Sequence, residues 1–106
     1  MANETEKRAS LSPGAKYLAG ENFILRKVAG TYALISIGAN IANFNGYIQL
    51  NETAAFLWQQ MKSPKTLDEL VTALTAEFEV SAEEARADVE ELLEQLVQEE
   101  MVTMDG

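Results

Sequence analysis

Neither cysteine nor histidine occurs among the 106 residues. Thiol nucleophiles, Cys–His and Ser–His–Asp arrangements, and zinc sites of the usual ligand sets are therefore excluded. The side chain best suited to acid–base work near neutral pH is also missing. Carboxylate-only chemistry and an oxygen-only Mg²⁺ site stay open, but the composition argues against an enzyme and calls for no cofactor. No apolar run approaches the roughly 18 residues that a membrane span needs. The first ten residues, Met1 to Ser10, carry charge with no apolar stretch behind it, so they do not read as a signal peptide. The expectation is a cytoplasmic protein without membrane contact.

Basic charge is scarce in one part of the chain. Residues 1–65 hold four acidic and seven basic side chains; residues 66–106 hold thirteen acidic ones and a single cation, Arg86. The first part is thus about +3 and the last part about −12. An acidic C-terminal part repels phosphate backbones and anionic membrane surfaces alike.

The length fits one domain able to bury a core without disulfides or metal. Residues 1–20 are polar, with Ser12-Pro13-Gly14 as a turn signal, and read as a flexible arm before a domain at 21–104. Within that arm, Ala15 to Ala19 fit either an irregular strand or a segment packed on the body. From Phe23 to Leu50 the pattern is strand-like. Phe23 to Val28, Thr31 to Ile37 and Gly46 to Leu50 are rich in β-formers and are punctuated by Gly30, Gly38 and Gly46, with Asn43-Phe-Asn-Gly46 as a turn. In the third strand Ile48 and Leu50 share one face, and Tyr47 and Gln49 the other.

After Leu50 the apolar period changes from two to 3.6. Asn51 caps a helix running to about Met61, with Ala54, Leu57, Trp58 and Met61 on one stripe, and Ser63-Pro64 ends it. Thr66-Leu-Asp-Glu69 is a capping box for a second helix bearing Leu67, Leu70, Val71 and Leu74. Ser81-Ala-Glu-Glu84 is another, opening a third helix with Ala85, Val89, Leu92, Leu93 and Leu96 inward and an end near Glu99. Met101-Val102 adds a last apolar contact. The expected fold is α+β and winged-helix-like: a three-stranded antiparallel sheet followed by three helices, β-β-β-α-α-α.

Such helices resemble a helix-turn-helix, which would put its last helix into the DNA major groove. Here that helix bears Glu83, Glu84, Asp88, Glu90, Glu91, Glu94, Glu99 and Glu100 against Arg86 alone. It would bring about eight negative charges to the phosphates, so nucleic acid is not an expected partner. Nor do these acids suggest a catalytic or metal centre. Neighbouring helical residues point apart, and Glu90 and Glu94, which share a face, lack a third ligand. The third strand offers the more productive feature. As a sheet edge, Tyr47 to Leu50 either needs protection or accepts another strand.

The run Gly46-Tyr-Ile-Gln-Leu-Asn-Glu-Thr-Ala-Ala-Phe-Leu-Trp58 resembles the signature of the PqqD-like family, the pyrroloquinoline quinone biosynthesis protein D family. Thr66-Leu-Asp-Glu-Leu-Val71, Phe78-Glu-Val-Ser81 and Glu84-Ala-Arg-Ala-Asp-Val89 are similar to its second and third helices, and the likeness spans about residues 23–103. The resemblance implies a peptide chaperone with two partners. One is the leader of a ribosomally made precursor peptide. The other is the modifying enzyme that receives it, often a radical S-adenosylmethionine enzyme. It implies a groove between the third strand (Tyr47, Ile48, Gln49, Leu50) and the third helix, with Ala85, Arg86, Val89, Leu92 and Leu93 as candidates. Arg86 is expected either to meet a leader carboxylate or to bridge Glu90 at i,i+4. The resemblance leaves the pathway open, pyrroloquinoline quinone biosynthesis being one possibility. Other readings are a winged-helix transcription regulator and a dimerisation or docking domain. The expected state is a monomer or weak homodimer.

Overall fold

Ala29 and Gly30 make a two-residue turn with φ of 51° and 87°. Two positive φ values in succession define the turn whose twist matches that of the paired strands. The computed structural model of the chain describes residue 11, residues 14–37 and residues 47–105, with Tyr47 by its backbone alone. The turn at Asn43 to Gly46 and the arm before residue 11 lie outside the described residues.

The turn joins β2 (Phe23–Val28) to β3 (Thr31–Ser36), and β4 (Tyr47–Leu50) completes an antiparallel sheet of order β2-β3-β4. Its register sets Leu25, Leu34 and Ile48 in one row, and Tyr32 beside Leu50. Leu34 and Leu50 are buried, with Leu25, Tyr32 and Ile48 packed against the core, so this face is the inner one. The helices follow: α1 (Glu52–Gln60), α2 (Leu67–Glu77) and α3 (Ala82–Gln98). The expected sheet and helices are thus present, in the expected order.

The caps fix the helix starts. Asn51 Oδ1 accepts from the Ala54 amide at 2.8 Å. The Thr66–Glu69 capping box closes in both directions. At Ser81 only half of the expected box forms. The Ser81 hydroxyl accepts from the Glu84 amide at 3.1 Å, and the Ser81 amide does not donate back to the Glu84 carboxylate. One satisfied amide and two acids in the first turn suffice to start α3.

A second, smaller sheet was not foreseen. β1 (Lys16–Ala19) lies between β5 (Lys65–Thr66) and β6 (Val102–Asp105), antiparallel to both. The end of the segment expected as an arm is therefore part of the body. Four residues are short for a sequence signal, but alternation places Tyr17 and Ala19 in the core and leaves Lys16 and Leu18 outside. The end of β1 is tied at two points. The Ala19 amide donates to the Met61 carbonyl at 2.8 Å and the Gly20 amide to the Met101 carbonyl at 2.9 Å. The core spans both sheets and all three helices, centred on Trp58, Tyr17, Leu57, Leu70, Leu93 and Leu96.

Candidate functional site

Strand β4 has a partner, β3, on one side only among the described residues; β2 is the opposite edge of the same sheet. The two edges differ in chemistry. β2 carries Arg26 and Lys27, both exposed, and charged side chains on an edge discourage pairing with another strand. β4 reads Tyr-Ile-Gln-Leu, with neither charge nor proline to blunt it. In an antiparallel strand alternate residues direct both N–H and C=O to the same side. Four residues thus offer about four backbone hydrogen-bonding groups to a newcomer.

Beside the end of β4 lies an open groove of about 250 Å³. Gln49, Leu50 and Asn51 form one wall, Thr53, Ala54 and Leu57 of α1 the base, and Asp88, Glu91, Leu92 and Gln95 of α3 the other wall. The hydrogen bonds from the Thr53 hydroxyl and the Ala54 amide hold the Asn51 carboxamide in its cap, so the base is preset.

Of the sequence-derived candidates, the groove brings together Gln49, Leu50 and Leu92. Ile48 is half-buried in the row of Leu34, and Tyr47 pairs with Ile35 through its backbone. Ala85, Val89 and Leu93 have no exposed surface and belong to the core. Helical geometry accounts for the separation. At about 100° per residue, Ala85, Val89, Leu93 and Leu96 define the inward stripe; Asp88 and Gln95 lie about 100° to one side of it, and Glu91 about 155° round on the same side. Hydrophobicity marks the stripe that packs inward, whereas the groove uses its polar flank. An i, i+3, i+7 set of polar residues bordering that stripe was the available signal.

Arg86 and Glu90 fall on the opposite flank of α3. The Arg86 guanidinium reaches the Asp68 carboxylate of α2 at 2.6 Å. The expected i,i+4 pairing with Glu90 is therefore replaced by a bridge between helices, because α2 brings an acid within reach. Neither Asp88 nor Glu91 has a cationic partner among the described residues. Among the described residues no group of three or more acidic side chains is placed to hold a metal ion. No described helix is long and apolar enough to cross a membrane.

Comparison with known proteins agrees with this architecture. No curated protein matches the sequence. Among solved structures, TbiB1 in complex with the TbiA(beta) leader peptide has the same fold, with a TM-score of 0.62 at 18% sequence identity. The similarity covers 80% of this chain and 93% of that one. The family model described as coenzyme PQQ synthesis protein D (PqqD) matches residues 23–102. That match takes in β2 to β4, all three helices and the start of β6, and on it the chain belongs to the PqqD family.

Proposed function

We propose that this domain is a peptide chaperone. It captures the leader of a ribosomally made precursor peptide as an added strand on β4 and presents the peptide to a modifying enzyme. The observation that carries this reading is the contrast between the two edges of one sheet: β2 is guarded by Arg26 and Lys27, while β4 is uncharged and borders a groove. Membership of the PqqD family and a shared fold with a protein whose structure contains a leader peptide support it.

The physical logic is that of strand addition. Backbone hydrogen bonds to β4 supply affinity that tolerates sequence change, and the side chains of the groove select among peptides. The leader arrives without fixed structure, so ordering it offsets part of the interaction energy. The role is binding and delivery, without chemistry on the peptide. The pathway follows from which precursor and enzyme are served, pyrroloquinoline quinone formation being one case.

The test is titration of the isotope-labelled protein with the leader of the precursor encoded beside its gene. Amide signals of residues 47–50 and of the Asp88–Gln95 flank should move together. A complementary variant series places proline at Ile48 and at Gln49. The amides of adjacent residues point to opposite sides, so one of the two faces the free edge. The variant that keeps its fold should lose capture, since proline removes a donor. Full affinity in that variant would sink the edge-strand reading.

A further inference from the structure

The groove beside β4 has a chemical character that the strand edge alone does not specify. Of the eight acids between Glu83 and Glu100, two reach it: Asp88, half-buried, and Glu91, exposed. They stand one helical turn apart over Leu92, which is 8% exposed. Facing them are the neutral Gln49 and Asn51. Arg86, the single cation of residues 66–106, is on the far flank of α3 and engaged with Asp68. The groove thus holds two carboxylates with no cation from α3 to balance them.

We propose that the peptide captured on β4 carries a lysine or arginine whose side chain enters this groove and meets Asp88 and Glu91. The inference rests on the strand-capture reading and adds the class of peptide. A newly added strand lies about 4.8 Å beyond β4. Its side chains alternate between the faces, so every second one is directed toward the helical layer. A long cationic side chain suits such a position, because its methylenes cover the apolar base at Ala54 and Leu57 while its charge reaches the rim. An acidic side chain there would meet two like charges.

The probe is a displayed library of random twelve-residue peptides, selected against the intact protein. Recovered peptides are then titrated into labelled protein. Those that shift the amides of residues 47–50 should carry Lys or Arg at one fixed position. For these, Asp88→Asn combined with Glu91→Gln should weaken binding about two- to five-fold, the effect of one partly exposed charge contact. Replacing the peptide's cation by Gln should cancel that difference between variant and wild type. A variant with Glu99→Gln and Glu100→Gln removes the same net charge outside the groove and should bind like wild type. If it weakens binding equally, the attraction is only that of an acidic protein for a basic peptide, and the inference falls. Peptides that shift residues 47–50 but show no cation preference overturn the inference and leave strand capture standing. Peptides that shift other regions alone overturn both.

Discussion

Gly20 and Met101 meet backbone to backbone: the Gly20 amide donates to the Met101 carbonyl at 2.9 Å, and a Cβ on Gly20 would sit 3.0 Å from that same oxygen. The contact joins the end of β1 to the second residue beyond Glu99, the α3 C-cap, closing the small sheet onto the helices. The added methyl would also come within 3.1 Å of the Phe23 ring, which packs edge-on against Trp58 with centroids 6.1 Å apart. Neither neighbour moves without cost, one being backbone and the other set against a core tryptophan. Gly20→Ala should therefore destabilise the domain by about 1–3 kcal/mol. A lower urea midpoint at unchanged slope checks it. An unaltered midpoint would show that the junction is slack.

The C-terminus of α3 is open to improvement. The Met101 amide donates to the Leu96 carbonyl at 2.8 Å and the Glu100 amide to the Val97 carbonyl at 3.0 Å, which together form a Schellman cap. Leu96 and Met101 are both fully buried, the apolar contact that accompanies such a cap. The cap requires a left-handed residue at position 100, where Glu100 has φ of 60°. Glycine adopts that conformation freely, and removing an anion from the negative end of the helix also helps. Glu100→Gly should raise stability by about 0.5–1.5 kcal/mol, read as a higher thermal midpoint. A fall would mean that the Glu100 side chain contributes more than its backbone costs.

These two positions show what the sequence reveals and what it hides. The three strands from Phe23 to Leu50 and the three helices are legible because alternation, the 3.6 period and the caps at Asn51, Thr66 and Ser81 agree with one another. β1 is only one of two alternatives open for Ala15 to Ala19, and β6 is not legible, because four residues each provide little periodicity and their pairing joins segments more than 80 residues apart in sequence. The groove was half legible. Its strand was visible as a sheet edge, but its helical wall was assigned to Ala85, Arg86, Val89, Leu92 and Leu93, of which Leu92 lines the groove while Ala85, Val89 and Leu93 fill the core. A pattern of apolar residues reports what a helix buries, and Asp88, Glu91 and Gln95 lie outside that pattern.

The Arg86–Asp68 bridge, short as it is, joins side chains that are 48% and 79% exposed. Solvent screens such a pair, and ordering the long Arg86 side chain offsets part of the attraction. Arg86→Ala should change stability by no more than about 1 kcal/mol. Because Arg86 faces away from the β4 groove, affinity for peptides captured there should hold within about two-fold, a difference below roughly 0.4 kcal/mol. Thermal melts and peptide titration on the same variant measure both. A large loss of affinity with intact stability would return Arg86 to the binding site.

Gln95 gives a direct way to close the groove. Its side chain is exposed and lines the α3 wall, one turn beyond Glu91 and on the flank that carries Asp88. It takes no part in the core, so a bulky replacement does not displace buried atoms. Gln95→Trp puts an indole over Leu92 and Ala54, in the space that a side chain of an added strand would need. The indole leaves the backbone edge of β4 intact. Peptide affinity should therefore fall by about ten-fold or more, equivalent to at least roughly 1.4 kcal/mol, while the melting temperature stays near that of the wild type. Short peptides confined to the β4 edge provide the contrast, since their backbone bonds do not depend on the groove. If both kinds of peptide bind the variant normally, the groove does not contribute to capture, and selectivity must come from another surface along α3.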